Sequence, residues 1–367
     1  MPRFTIGIPT YNRAHQFLGR AIQSALDQTH PDVEVIVCDN ASTDNTEEIV
    51  RGFGDRVRYH RNEKNLGMWP NFTIGPELAT GEFFAWLQDD DLIHRDFAAR
   101  VVRSLSASDD HLMYVCWAAY SPSPTSLRKW TSIHGPVIPV DWMGSEPKVI
   151  DGLQFIPFCF FESQALPPAV AFRTEAARLG VRDFLPDCAE FNEQVVVSSV
   201  AARGKVVIDP WVGAIHSSHG SQSHLVLGGD PDAILRQKLN HAAYNQTLIS
   251  GLPDRWRGLF RETLAELPLE NRLALVDIII HYPEKLGAFW AAAPPVIGEM
   301  RDMVLETLPA KERSDRQWMR AEPDRGDSKQ RLKRVVPYRL WASLKTARDA
   351  LRHGVAMRIK YENRGGA

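Results

Sequence analysis

Three adjacent carboxylates, Asp89-Asp90-Asp91, follow the run Phe83 to Leu87 and Gln88. Like charges at a strand end repel one another, which costs stability unless a cation sits among them. Carboxylate oxygens suit Mg²⁺ or Mn²⁺, ions that keep several waters and bridge to substrate phosphates. A solvated acidic turn capping a helix near Asp96 would use the same residues. A second polar turn closes the run Val35-Ile36-Val37-Cys38-Asp39. Ser42 or Asp44 fits the cap of the next helix, with Glu47 or Glu48 in its first turn. Capping leaves Asp39 unexplained; at a strand end its carboxylate can accept the N3–H of uracil or thymine. A third turn, Ile8-Pro9-Thr10-Tyr11-Asn12-Arg13, offers a ring to pack on a nucleobase and an arginine to reach a phosphate. The fourth is the tripeptide Asn65-Leu66-Gly67, ahead of a helix starting at Pro70.

These clusters serve one site only if the scaffold gathers them. Short apolar runs predict strands at Phe4 to Ile8, Val33 to Cys38, Val57 to Tyr59, Phe83 to Leu87 and Leu112 to Trp117. Between them, helices are predicted over Ala14 to Gln28, Thr46 to Gly52, Pro70 to Ala79 and Asp96 to Leu105. Such alternation argues for a mostly parallel sheet covered by helices, with ligands at the carboxyl ends of the strands. The turns after the first, second and fourth strands are the polar clusters above. Residues 120–165, rich in Pro, Ser and Gly, read as an irregular flap. A strand at Ala169 to Phe172, a helix from about Ala189 to Arg203 and a strand at Val206 to Ile208 follow. From about 230 to 310 the pattern is helical.

Of 367 residues, 44% are apolar and 24% charged, and the net charge is -2, which indicates a globular chain and gives no support for nucleic-acid binding. Cys38, Cys116, Cys159 and Cys188 are scattered without a CxxC pair, as expected of a reduced, cytoplasmic protein. A strand begins almost at Met1, so no signal peptide is expected, and no apolar run reaches the ~18 residues that span a bilayer.

The segments IPTYNR, VIVCDNASTDNT, NLG and WLQDDD together resemble the family 2 glycosyltransferases across residues 3–220. The resemblance implies the GT-A fold, a Rossmann-like, mostly parallel sheet flanked by helices, here with a helical C-terminal region. It places a catalytic domain at 1–225, with a donor half (1–120) and an acceptor half (121–225). Helices at 226–310, a charged linker at 311–328 and a basic amphipathic tail at 329–367 complete the expected organisation. The implied activity is inverting transfer of a hexose-type sugar from a UDP- or dTDP-sugar to an acceptor hydroxyl, with a divalent metal, Mn²⁺ or Mg²⁺. By the same resemblance Pro9, Thr10 and Tyr11 form the uracil-side wall and Asp39 reads the base. Asn65 and Gly67 cover the nucleoside, Asp89 lies near the ribose, and Asp90 or Asp91 binds the metal. Relatives often carry Arg-Asn where this chain has Pro70-Asn71, so one phosphate contact is expected to be missing.

The family's general base lies at the start of a late helix, here Leu185 to Glu193. Asp187, Glu190 and Glu193 compete for the role, although Asp187-x-x-Glu190 also has capping-box spacing. Downstream, Ile215 to Ser223 resembles the segment closing over the diphosphate, where His219 or His216 would complete the metal sphere. The tail holds eleven Lys and Arg against two Asp and Glu. Leu340, Leu344, Ala347 and Leu351 share one helical face, which suits either peripheral contact with the inner face of a membrane or docking on the domain. The expected acceptor is a growing surface glycan or a lipid-linked one. A dinucleotide-dependent dehydrogenase would need GxGxxG after the first strand, and a nucleotidyltransferase a Gly-rich basic loop; neither is present. A nucleotide-sugar-binding protein without transfer activity would share the donor motifs and lack a working base.

Overall fold

The computed structural model describes residues 1–121, 132–134, 146–160, 167–183, 192–217, 231–251, 254–267 and 295–314, with a few more between 269 and 275. The chain divides into units Met1–Pro323 and Asp324–Ala367. The charged linker from 315 on and the basic tail lie outside the described residues.

Strand β1 (Phe4–Thr10) is buried along its whole length, as a strand covered on both faces must be. A π-helical turn, Ala14–Leu18, leads into α1 (Gly19–Leu26). Then come β2 (Val33–Asp39), α2 (Thr46–Arg51), β3 (Arg58–Arg61), α3 (Met68–Leu78) and β4 (Phe83–Trp86). A short β5 (Leu92–Ile93), α4 (Phe97–Leu105) and the long β6 (His111–Ser121) follow. On α4, Phe97, Ala98, Val101, Val102 and Leu105 are buried, an apolar stripe at helical spacing that packs on the sheet. On α3, Gly75 comes close to β1: a Cβ on Gly7 or Gly75 would lie 2.9 or 3.0 Å from the Phe84 ring. Two glycines therefore permit the helix to sit flat on the strands.

The second half continues with β7 (Ser132–His134), β8 (Lys148–Asp151), α5 (Gly152–Phe155), β9 (Val170–Arg173), α6 (Thr174–Val181), α7 (Asn192–Ala201) and β10 (Lys205–Ser217). Helices α8 (Pro231–Ser250), α9 (Arg255–Glu266), α10 (Pro295–Glu306) and α11 (Ala310–Ser314) close the described chain. The strand order is β3-β2-β1-β4-β9-β6-β10-β5, with β7 on β6 and β8 on β10. The pairs β3–β2, β2–β1, β1–β4 and β6–β10 are parallel, whereas β9, β5, β7 and β8 join antiparallel. The expected mostly parallel sheet is thus confined to β1–β4 and the β6–β10 pair; over its full width the sheet is mixed.

Two further expectations change. The stretch read as irregular contains β8 and α5, and Asp151-x-x-Gln154 caps that helix reciprocally: Leu153 N donates to Asp151 Oδ1 (2.9 Å) and Asp151 N to Gln154 Oε1 (3.0 Å). The strand expected at Val206 to Ile208 runs on to Ser217. The helical end packs on the sheet-bearing part through Trp256, Phe260 and Leu264, with the Phe260 ring centroid 5.7 Å from that of Phe158. No described helix is long and apolar enough to cross a membrane.

Candidate active site

The parallel register Gly7↔Trp86 and Thr10↔Asp39 brings the turns after β1, β2 and β4 to one edge of the sheet. These turns bind one another. Thr10 Oγ donates to Asp89 Oδ2 (2.7 Å) and Asn12 N to Ser42 Oγ (2.9 Å). Thr43 N donates to Asn12 Oδ1 (2.7 Å), and Ala14 N to Asp44 Oδ2 (3.1 Å). Asn12 and Ala41 adopt left-handed φ values of 55° and 62°, a conformation uncommon without glycine that this cross-bonding holds in place. The N-cap of α2 is Asn45, without a side-chain cap bond, so neither Ser42 nor Asp44 is the cap residue; Asp44 accepts Thr46 N (3.1 Å) from just outside the helix, and Ser42 donates to Asp39.

Asp39 is fully buried and accepts four bonds: Oδ1 from Ser42 N (2.9 Å) and Ser42 Oγ (2.5 Å), Oδ2 from Tyr59 OH and Arg61 Nη1 (2.6 Å each). Direct reading of a base N3–H by Asp39 therefore requires one of these donors to leave. Asn40, one residue on, fixes the loop at Asn65–Gly67. Its Nδ2 donates to Asn65 Oδ1 (2.8 Å) and Gly67 O (3.0 Å), and its Oδ1 accepts Leu66 N (2.8 Å) and Asn62 Nδ2 (3.1 Å). Asn71, beside the expected missing phosphate contact, is buried, donating to Cys38 O (2.9 Å) and accepting from Asn62 (3.0 Å). Gly67, at φ 88°, makes the turn into α3. Tyr11 and Leu66 stand exposed at this edge (43% and 40%), while Pro9 and Thr10 are buried beneath.

The three carboxylates of the acidic turn differ. Asp91 is fully buried; Oδ1 accepts Ser217 N (2.7 Å), and Oδ2 lies 3.1 Å from His216 Nδ1. With its amide placed to satisfy both neighbours, Gln88 donates to Asp91 Oδ2 (2.6 Å) and Pro167 O (3.1 Å). Ser217 Oγ donates to Asp90 O (2.5 Å), so the end of β10 clasps this turn twice. Burial pushes Asp91 up to about 6, with His216 offsetting part of the rise and Asp90 adding to it. Asp89 is raised by burial first and then by Asp90, with Thr10 and Arg13 pulling the other way. Burial opposes charge on His216, but Asp91, Asp90 and Glu193 outweigh it and raise its pKa. Asp90 alone of the three has a half-buried carboxylate.

Among the described residues no three His, Cys, Asp or Glu side chains form a metal cage. The residues present fit a weaker mode of binding: one half-exposed carboxylate among buried acids that disfavour their own charge, with substrate phosphates completing the sphere. Glu193, half-buried in the first turn of α7, is near enough to raise the His216 pKa. Asp187, Glu190 and His219 lie outside the described residues. Sequence reasoning missed Tyr59, Arg61, Asn40 and Asn62. Asn40 stands inside a motif segment, but its role, like that of the other three, depends on partners 20 or more residues away in sequence.

A family model described as glycosyl transferase family 2 matches residues 5–187. An uncharacterised glycosyltransferase of Rickettsia felis is 34% identical over 131 residues, 35% of this chain and 21% of that protein. The GalNAc(5)-diNAcBac-PP-undecaprenol beta-1,3-glucosyltransferase of Campylobacter jejuni is 37% identical over 95 residues, 25% of this chain and 30% of that one. The matched stretch thus spans about a third or less of these curated relatives. The structure of S. aureus TarS 1-349 in complex with UDP-GlcNAc has a TM-score of 0.54 at 15% identity, covering 83% of this chain and 89% of that one. At that identity the likeness concerns the fold, which is of the GT-A type.

Proposed function

We propose, from the premise that this chain belongs to glycosyl transferase family 2 through residues 5–187, that it moves a sugar from a UDP- or dTDP-sugar to an acceptor hydroxyl with inversion. The observation that carries the reading is the gathering of four motif segments at one sheet edge around a half-exposed Asp90. Tyr11 and Leu66 flank the nucleobase, Asp39 lies at its edge and Asp89 faces the ribose. Asn65 and Gly67 form the covering loop, held by Asn40. Arg13 serves the diphosphate, since a guanidinium pairs well with phosphate oxygens.

Asp90, with Asp91 beneath it, would hold Mg²⁺ or Mn²⁺, and His219 or His216 is the candidate further ligand. A bound divalent ion supplies charge stabilisation to a departing diphosphate. His216 and Ser217 hold Asp91 in place, and so fix where the turn presents Asp90. The acceptor oxygen forms the new bond to the anomeric carbon as the bond to the diphosphate breaks, and its proton passes to a carboxylate. That base is drawn from Asp187, Glu190 and Glu193; in support of Glu193, its charge contributes to the raised pKa of His216.

A nucleotide-sugar donor is in keeping with the UDP-GlcNAc bound by TarS, and a lipid-linked glycan acceptor with the name of the Campylobacter relative. The basic tail suits peripheral contact with the inner face of a membrane. A thermal-shift panel of UDP-, dTDP- and GDP-sugars, with and without Mn²⁺, tests the donor. Metal-dependent stabilisation by UDP- or dTDP-sugars is expected; binding of GDP-sugars alone would overturn it. Replacing Asp187, Glu190 and Glu193 singly tests transfer: if none slows donor consumption while binding persists, the chain binds the donor without transferring it.

A further inference from the structure

Helix α7 carries Glu193 in its first turn and is buried on every side from Gln194 to Ala201. A helix so enclosed is expected to be apolar all round, yet Gln194, Ser198 and Ser199 are among its buried residues. The face of α8 turned towards the interior is polar as well. It presents His241 and Asn245, four residues apart and 7% and 0% exposed. Asn245 Nδ2 lies 3.2 Å from His241 Nε2 and 3.5 Å from Cys159 O, in the turn that follows α5. The His241 ring bonds to the backbone of Gln194, the residue next to Glu193. Burial pushes the ring's pKa down to about 4, so it is neutral at working pH and offers one donor and one acceptor. A second polar contact lies one turn further along α7: Tyr244 OH of α8 donates to Asp183 Oδ2 (3.2 Å), which also accepts Ser199 Oγ.

Buried polar groups cost free energy unless they are bonded, and an apolar face on α8 would cover α7 without that cost. Apolar contact is non-directional, however, and lets one helix slide on another. A ring bonded to one particular backbone group does not. A slip of one residue would carry Glu193 about 1.5 Å along the axis of α7 and break the bond to His241.

We propose that His241 and Asn245 are positioning residues for Glu193: acting through the backbone of Gln194, they fix where α7 presents that carboxylate to the acceptor. The inference rests on the transfer reading above, with Glu193 as the base among its three candidates, and deepens it. It makes α8 part of the machinery that takes the acceptor's proton, and not only a cover for the sheet.

Steady-state hydrolysis of UDP-glucose, UDP-N-acetylglucosamine and dTDP-glucose by the full chain in Mn²⁺, with water as acceptor, tests this. The variants are His241→Phe, His241→Asn, Asn245→Ala, Glu193→Gln and the His241→Phe/Glu193→Gln double variant, and calorimetric titration with UDP and Mn²⁺ follows donor binding. His241→Phe is expected to lower kcat about tenfold to a hundredfold, the cost of misplacing a reacting group by ~1 Å, while KM and UDP affinity hold. Asn245→Ala has the same effect to a smaller degree, and His241→Asn, which keeps an N–H donor, recovers part of the loss. Glu193→Gln lowers kcat further, by about a hundredfold to ten-thousandfold. In the double variant His241→Phe adds nothing, because it acts through the carboxylate. Melting curves of the unliganded variants establish which are folded; if His241→Phe is not, Asn245→Ala combined with Glu193→Gln completes the cycle. A folded His241→Phe with wild-type kcat, an equal loss with and without Glu193, or a fall in UDP affinity matching that in kcat overturns the proposal and leaves the transfer reading standing. So does a fully active Glu193→Gln, which moves the base to Asp187 or Glu190. A wild type that consumes none of the sugars removes both.

Discussion

In the half of the sheet built from β1 to β4, the polar side chains collect at the carboxyl edge and tie loop to loop: Thr10 to Asp89, Asn12 to Ser42 and Thr43, Asn40 to Asn65 and Gly67. Around β6 and β10 the polar side chains lie inside instead. Asp209 is fully buried, held by Arg100 through two 2.8 Å bonds and by Tyr114 OH (2.7 Å). Trp211 Nε1 donates to Tyr114 OH (2.6 Å), and the Arg100 guanidinium lies 4.4 Å from the Trp211 ring centroid. This cluster sits where β10 slips register against β6, between Ile208 and Val212. The first half thus uses its hydrogen bonds to tie its loops together at one edge. The other half uses them to brace a bulge, and the bulge decides where His216 and Ser217 meet the acidic turn. One network should govern binding, the other stability.

The sharpest division comes from Asp90→Ala. Metal-dependent donor binding and transfer should fall by on the order of a hundredfold or more, the loss of a ligand exceeding that of an outer-shell partner. The unliganded melting temperature should hardly move. Arg100→Met should do the reverse. Leaving Asp209 buried without its cation costs about 3–5 kcal/mol, read as a lower urea midpoint. Removing the exposed Arg51–Glu47 pair by Arg51→Met should cost under ~1 kcal/mol. If both arginine variants unfold at the same midpoint, the brace has no special role.

Asn40→Ala tests the loop network with a smaller effect. Buried Asn62 keeps Asn71 but loses Asn40, and the exposed loop Asn65–Gly67 loses its anchor, which costs about 0.5–1.5 kcal/mol. UDP binding should weaken, and amide exchange at Leu66 should quicken, because its N–H loses its acceptor. The mildest contrast is in pH. Asp91, at about 6, and Asp89, raised likewise, hold protons in the folded chain that the unfolded chain has released. Between pH 4 and 6 the folded state binds more protons, so metal-free stability should fall as pH rises. Metal affinity should rise over the same interval, by no more than about tenfold per proton released and pH unit. Asp91→Asn should flatten both profiles in part and the Asp89→Asn/Asp91→Asn double variant further; profiles unchanged by the double variant would remove the acidic turn as their origin.

Much of the donor half was legible because its signals are local. A fully apolar run such as Phe4 to Ile8 predicts a buried strand, and a polar cluster at its end predicts a turn at the carboxyl edge. The stripe Phe97, Ala98, Val101, Val102 and Leu105 predicts a helix. Less of the second half was legible. The capping box at Asp151 and Gln154 was there to be read, but the Pro- and Ser-rich stretch around it obscured the strand and helix. The length of β10 could not be judged, since Asp209-Pro210 interrupts its apolar pattern and only pairing with β6 carries the strand past it. Nothing local marked β9, β5 and β8 as antiparallel partners.

Sequence alone determined the chemistry present: which carboxylates, amides and aromatic rings end which strands, and in what order. Those are properties of residue type and short spacing. Tertiary structure alone decided what each group touches. The carboxylate of Asp39 looks unengaged in sequence, yet in the fold it is filled by Tyr59 and Arg61, 20 and 22 residues away. Asp91 looks like a ligand among equals, yet it faces Ser217, 126 residues on. A carboxylate binds whichever donors the strands bring within about 3 Å, and strand order is a property of the whole sheet.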